Sequence, residues 1–188
     1  MTLTGKLVLA AVAFAALSGS AMAADLYVPP AAAPAAAAPA TNWDGPYIGA
    51  TIGYDWYQPG NSTSGFTAGG QIGYNFHIAD PIVLGIQGNI DYANFQNGGP
   101  GSNNGVEGAI TGRVGYDADS FLPYVEAGVA FLNANSTTAT GWTVGGGVEF
   151  MLADNISANV EYRYTDYGTA FGPDLTSNAI RVGLNYHF

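Results

Sequence analysis

Apolar and polar residues alternate with a period of two along nearly all of the chain after Trp43. In residues 66–78, one face carries Phe, Ala, Gly, Ile and Tyr, and the other carries Thr, Gln, Gly, Asn and His. Residues 180–188 repeat this arrangement, with the apolar side chains at the even positions. Such alternation is typical of β-strands that have one apolar and one polar face. The pattern therefore predicts an all-β protein.

Eight segments share this pattern, and each is roughly 9–13 residues long, longer than the usual strand of about 5–6 residues and long enough for a tilted span of a bilayer. They cover residues 47–57, 66–78, 82–92, 106–116, 122–133, 142–150, 156–164 and 180–188. Short turns at 79–81, 117–120 and 153–155 alternate with longer polar loops at 58–65, 94–105, 133–141 and 165–177. This order predicts an eight-stranded antiparallel up-and-down barrel with the long loops at one end and both termini at the other.

The placement of aromatic residues on the apolar face distinguishes two kinds of barrel. A soluble, lipocalin-like barrel would turn its apolar face inward around a ligand. Here the aromatic residues fall at two levels with aliphatic and small residues between them, which is typical of a transmembrane β-barrel in lipid. The level near the long loops comprises Tyr54, Trp56, Phe66, Tyr92, Phe131, Trp142, Tyr162 and Tyr164. The level near the short turns comprises Tyr74, Phe76, Tyr116, Phe150, Tyr186 and Phe188.

The first 42 residues have a different composition. Residues 1–23 carry one positive charge, then an apolar run at 7–17, and end in an Ala-x-Ala pattern, which predicts a secretory signal peptide. The run is about half of the ~20 apolar residues that a membrane-spanning helix needs. Residues 24–42 are mostly Ala and Pro and are predicted to form an extended periplasmic linker. The barrel domain is then 43–188.

Charged residues make up only 10% of the sequence, with 4 basic and 14 acidic residues and a formal net charge of −10. So few basic residues exclude a surface that follows the phosphates of a nucleic acid. The absence of cysteine excludes disulfides, thiol catalysis and cysteine-ligated metals.

The polar face of the predicted barrel carries most of the charged residues of the domain. Because an eight-stranded barrel has room inside for little more than side chains, these residues are predicted to form a structural charge network in the lumen; the alternative is an ion path. We expect Arg113 to pair with Glu126 on the adjacent strand, and Glu161, Asp91 or Glu107 to balance Arg163 and Arg181. The predicted network comprises Asp55, Asp91, Glu107, Arg113, Glu126, Glu149, Glu161, Arg163 and Arg181.

Two stretches carry a resemblance to a known family. Residues 43–54, WDGPYIGATIGY, and residues 181–188, RVGLNYHF, resemble the first and last strands of the small outer-membrane β-barrel family of proteobacteria, which includes opacity-like proteins and alphaproteobacterial porin-like surface antigens. The resemblance implies an integral outer-membrane protein in contact with outer-membrane lipid and lipopolysaccharide. It also implies that Tyr186 and Phe188 form the C-terminal signal read by the outer-membrane assembly machinery. We expect the long loops to be extracellular and both termini to be periplasmic.

No catalytic, cofactor or metal site is predicted. The two histidines, His77 and His187, fall on the lumen face near the short turns, where we expect them to be solvated at the rim rather than to share a metal. No lipid-facing Ser–His–acid arrangement is visible, so the protein is not expected to be an enzyme.

The predicted function is a structural, surface-exposed role in the envelope, porin-like by family but with a filled lumen. The alternatives are a narrow pore for ions or small solutes and a surface protein that binds through its long loops.

Overall fold

The computed structural model describes residues 43–58, 64–96, 104–134, 137–169 and 174–188 of the chain. In these ranges eight antiparallel strands form a closed barrel in which each strand pairs with its sequence neighbours and β1 pairs with β8. The strands are β1 Gly45–Gln58, β2 Ser64–Ala79, β3 Ile82–Gln96, β4 Asn104–Tyr116, β5 Phe121–Ala134, β6 Thr137–Ala153, β7 Ile156–Asp166 and β8 Thr176–His187. The predicted all-β, eight-stranded up-and-down barrel is confirmed.

The predicted signal peptide, 1–23, and the predicted linker, 24–42, lie outside the described residues. Within the described ranges, no helix has the length and apolar character that a membrane-spanning helix requires.

The connections agree with the sequence at one end of the barrel and differ at one place at the other end. Short turns join the strands at 80–81, 117–120 and 154–155. The long loop predicted at 133–141 is wrong, because β5 continues to Ala134 and β6 already begins at Thr137. Asn133 pairs with Thr138 across the two strands. This stretch keeps the alternation, since Ala139 is buried while Thr138 and Thr140 are exposed, and β-branched threonine is favoured in strands.

The apolar face of every strand points outward. Large apolar side chains are exposed all around the barrel, among them Ile52, Ile72, Ile90, Val129 and Leu184. The polar side chains of the strands are buried inside instead, which is the reverse of a soluble barrel. Closure gives every strand two hydrogen-bonded neighbours, so the backbone amides and carbonyls need no water. The outer surface is therefore suited to contact with lipid.

The register of the strands shows how far they tilt. Starting from one residue on β1 and moving from partner to partner around the barrel, the path returns to β1 ten residues farther along the chain. It passes through Tyr47, Gly73, Gln87, Thr111, Gly128, Thr143, Thr165, Ser177 and Tyr57. Such a stagger accompanies a strand tilt of about 35–45°. Cross-strand partners consequently lie at different heights in the lumen.

The lumen is closed at each end by apolar side chains. At the short-turn end, Trp43 packs with Val83 and Leu122, and its indole N–H donates a hydrogen bond to the Asp119 carbonyl at 3.2 Å. We call this cluster the lower cap. The sequence did not indicate Trp43 for this role, because it precedes the first strand.

The upper cap lies at the opposite end. It consists of Tyr57, Ala93, Ala109, Ala130, Leu132, Ala139, Tyr167 and Leu175. Tyr167 and Leu175 belong to the β7–β8 connection and are joined by a backbone hydrogen bond of 2.8 Å from the Tyr167 amide to the Leu175 carbonyl. Burial, assisted by the nearby Glu107 carboxylate, raises the pKa of the Tyr167 hydroxyl well above its usual range.

Candidate functional site in the barrel lumen

The lumen between the two caps holds all nine charged residues that the sequence assigned to it. Each is buried, and the most exposed of them, Arg181, retains only 7% of its accessible surface. Three guanidinium groups face six carboxylates, so the formal charge of this set is −3. The arginines lie at three levels along the barrel axis, which we call the lower, middle and upper levels for Arg113, Arg163 and Arg181.

At the lower level, Arg113 is held by a carboxylate and two aromatic rings. Its Nη2 lies 2.8 Å from Glu149 Oε2, and its guanidinium carbon lies 5.2 Å from the ring centroid of Tyr47 and 4.7 Å from that of Tyr124. Both rings are therefore placed for cation–π interactions. Glu149 also accepts a hydrogen bond of 2.7 Å from the Asn185 side-chain amide. An ion pair, two aromatic rings and an amide therefore meet at this level.

The expected pair between Arg113 and Glu126 is not formed. The two residues are cross-strand partners on β4 and β5, but Glu126 Oε1 instead lies 2.9 Å from Arg163 Nε. The reason is the strand tilt, which places Glu126 above Arg113, towards the upper cap. Arg113 therefore reaches Glu149 two strands away, and the prediction is wrong.

At the middle level, Arg163 contacts three groups. Besides Glu126, its Nη2 lies 2.9 Å from Glu161 Oε1, and its Nη1 donates to the Asn89 side-chain oxygen at 2.8 Å. Neutral side chains also donate hydrogen bonds to the two carboxylates. The Thr111 hydroxyl donates to Glu126 at 3.0 Å, and the Tyr124 hydroxyl donates to Glu161 at 3.0 Å. The Tyr124 hydroxyl thus ties the middle level to the lower one.

At the upper level, one arginine faces three carboxylates. Arg181 Nη1 lies 3.0 Å from Asp91 Oδ2, its Nη2 contacts Glu107 Oε1, and Asp55 Oδ1 is more distant at 3.8 Å. Hydroxyl groups again donate hydrogen bonds to two of the carboxylates. Thr51 donates to Asp91 at 2.6 Å, and Tyr57 of the upper cap donates to Glu107 at 2.8 Å.

The two histidines lie near the short turns, as expected, but only one is partly solvated. His77 is half-buried, with Nδ1 2.7 Å from Asp44 and Nε2 3.0 Å from Asp117. His187 is buried, because Trp43 covers it in an edge-to-face contact with 5.9 Å between ring centroids. The expectation that both histidines are solvated at the rim is therefore wrong for His187.

His187 also contacts a serine and a carboxylate, which raises the question of catalysis. Ser157 Oγ lies 2.9 Å and Glu149 Oε1 lies 3.3 Å from the same nitrogen, Nε2. In a hydrolytic triad the acid holds the opposite ring nitrogen from the one that serves the nucleophile, so this arrangement lacks that geometry. Across the described ranges, no group of three or more His, Cys, Asp or Glu residues could hold a metal ion.

Comparison with known proteins agrees with a barrel whose outer surface carries a band of exposed apolar side chains, here called the apolar outer band. The chain is 39% identical over 201 residues to the 25 kDa outer-membrane immunogenic protein of Brucella ovis, with 97% of this chain and 98% of that protein covered. It is 33% identical over 169 residues to the 22 kDa outer membrane protein of Rhizobium leguminosarum bv. viciae, with 79% and 80% covered.

Solved structures show the same fold at lower sequence identity. Neisserial surface protein A matches with a TM-score of 0.55 and 20% identity, over 77% of this chain and 97% of that one. The attachment invasion locus protein of Yersinia pestis matches with a TM-score of 0.55 and 13% identity, over 77% and 99%.

The sequence model of the outer membrane protein beta-barrel domain matches residues 9–188. The resemblance noted in the first and last strands is thereby confirmed, and the apolar outer band is the face that meets the lipid of the outer membrane. This chain belongs to the outer membrane protein β-barrel domain family.

Proposed function

We propose that this protein is a non-conducting outer-membrane barrel with a structural, surface-exposed role in the envelope. The observation that carries the proposal is the filled lumen, which ion pairs cross at three levels between two apolar caps. An eight-stranded barrel has an interior just wide enough for side chains. An ion path would have to displace Arg113, Arg163 and Arg181 in turn from their carboxylates. The filled lumen therefore favours a structural role over a pore.

The same network supports the stability of the barrel. Each arginine is buried, and its carboxylate partners also accept hydrogen bonds from hydroxyl or amide groups. A buried ion pair is costly to break from one side, because the remaining charge stays buried without its partner. We assign the nine lumen residues a structural role, with no catalytic role and no cofactor.

We also propose an orientation and partners for the barrel. The Brucella relatives are named outer-membrane immunogenic proteins, which supports exposure of one end of the barrel at the cell surface. We propose that this is the upper end and that the termini are periplasmic. Lipid and lipopolysaccharide are the partners of the outer apolar band. Tyr186 and Phe188 point outward at the lower end with their rings 5.1 Å apart. This exposure suits them to be the signal for the outer-membrane assembly machinery.

The full-length protein, inserted into planar bilayers, should give no steady current steps, because the three levels of ion pairs leave no continuous passage. Insertion is verified separately by the protease resistance of the barrel. Thr111→Trp, which enlarges a lumen residue, and Val129→Trp, which enlarges a lipid-facing one, form a matched pair. Steady openings that Thr111→Trp abolishes and Val129→Trp leaves intact would show that the lumen conducts and would overturn the proposal.

Arg113→Ala should lower the free energy of unfolding by about 3–5 kcal/mol, because Glu149 is left as an unpaired buried charge. The measurement is thermal or urea unfolding in detergent micelles. Arg113→Ala/Glu149→Ala should recover part of the loss, since no charge then remains unpaired. Thr138→Ala, on an exposed rim position, should change stability by no more than about 0.5 kcal/mol. Unchanged unfolding of Arg113→Ala would show that the network contributes no stability.

Single cysteines can test the orientation, because the natural chain has none. Asp174→Cys places a thiol at the upper end and Asp154→Cys places one in a short turn, and both positions are exposed. A membrane-impermeant maleimide should label only Asp174→Cys on intact cells and both variants after lysis. Labelling of Asp154→Cys alone on intact cells would reverse the proposed orientation.

Phe188→Ser should remove most of the folded, heat-resistant form from the outer membrane, because the terminal aromatic ring of the assembly signal is lost. Phe150→Ser is the matched control, since Phe150 is also an exposed aromatic residue near the lower end but lies within β6. Equal loss of the folded form in both variants would indicate a general need for aromatic residues at this level and would contradict a specific signal at the C-terminus.

A further inference from the structure

The β1–β8 pair, here called the seam, is the strand pair that no hairpin connects. In a hairpin, the turn and the length of the loop fix the register of the two strands. At the seam the register has to be fixed by the strands themselves. A slip of one residue would turn every apolar side chain of β8 into the lumen, and the alternating pattern prevents this. A slip of two residues keeps the faces correct, so the pattern alone does not prevent it.

The shapes of the inward side chains at the seam do distinguish these registers. Large residues of β8 lie opposite glycines of β1: Arg181 pairs with Gly53, and Asn185 pairs with Gly49. A Cβ atom on Gly53 would lie 3.0 Å from Arg181 Cγ, and one on Gly49 would lie 2.0 Å from Asn185 Oδ1. After a two-residue slip, Arg181 would lie opposite Thr51 or Asp55 instead. Both have side chains where glycine leaves room for the arginine stem.

The charges at the seam act in the same direction. The lumen face of β8 contributes Arg181, Asn185 and His187 but no acidic residue, whereas all six lumen carboxylates lie on β1, β3, β4, β5, β6 and β7. Without Arg181 the lumen would hold six carboxylates and two guanidinium groups. Arg181 reaches carboxylates on three different strands, with Asp91 at 3.0 Å, Asp55 at 3.8 Å and Glu107 in contact.

A slip of two residues would separate these groups. Each residue of a strand spans about 3.3 Å, so the guanidinium would move along the strand by roughly 6–7 Å. Its ion pairs with Asp91 and Glu107 would be lost, and the carboxylates would stay buried without a cation. Fixing register is the best-attested use of a buried polar or ionic group.

We propose that Arg181 sets the register of barrel closure. Its stem fits over Gly53 and its guanidinium binds the carboxylates of β1, β3 and β4, and together these contacts select the native seam over registers two residues away. Arg181 is in this sense a positioning residue of the closing strand. The role is independent of whether the lumen conducts, so it can be tested apart from the proposed function.

Cysteine pairs on the lipid face report the register directly, because the natural chain contains no cysteine. Ile52→Cys/Val182→Cys joins partners of the native register. Ile52→Cys/Leu184→Cys and Ile52→Cys/Ile180→Cys join positions that meet only after a slip of two residues. The full chain is refolded into liposomes and treated with an oxidant that forms a direct disulfide, and the cross-linked fraction is measured on gels. A direct disulfide needs Cβ atoms about 3.5–4.5 Å apart, whereas diagonal neighbours in a sheet lie about 7–8 Å apart. With Arg181 present, only the native pair should cross-link.

Arg181→Leu should lose most of the native cross-link and gain one of the slipped ones, whereas Arg181→Lys should keep the native one because it retains a stem and a charge. Arg163→Leu is the matched control, since it removes a buried cation with two carboxylate partners from β7, a strand joined by hairpins. It should keep the native cross-link. Failure of Arg181→Leu to fold while Arg163→Leu folds also supports the proposal. Native cross-linking alone in Arg181→Leu, or equal failure of both leucine variants, would overturn it.

Discussion

Every backbone amide and carbonyl of this chain that lies in the hydrocarbon must find a partner within the protein, because lipid offers none. Eight strands meet this requirement only when β1 pairs with β8, so closure of the barrel is the condition on which the other features depend. Closure leaves one face of each strand in lipid and the other in a narrow lumen. The period of two, the scarcity of charge and the burial of Arg113, Arg163 and Arg181 all follow from this division.

A narrow lumen imposes close contacts that small residues make possible. A Cβ atom on Gly128 would lie 2.0 Å from the Ile110 carbonyl oxygen, so the neighbouring backbone can come this close only at a glycine. The same lack of space brings the three arginines against carboxylates on distant strands. Tilt decides which carboxylate each arginine meets, because a stagger of ten residues around the barrel separates cross-strand partners in height.

The strands and their faces could be predicted from the sequence, because alternation is a local property that each segment shows by itself. The ion pairs could be predicted only in part. Arg113 and Glu126 are adjacent in the sheet, but their levels depend on the stagger of the whole barrel, which no local pattern contains. The caps were missed for a related reason: Trp43, Tyr167 and Leu175 lie outside the strands, and only the closed structure brings them over the lumen.

A polar lumen also determines which face of the sheet contacts lipid. In water, burial of apolar side chains drives folding. Lipid is as apolar as those side chains, so packing them against one another inside the barrel gains no hydrophobic free energy. An apolar interior would therefore leave the chain with two equivalent faces. Six carboxylates and three arginines on one face remove this ambiguity, because that face cannot lie in hydrocarbon without a large desolvation cost. The charges that fill the lumen thus help to determine which side of the sheet becomes the inside.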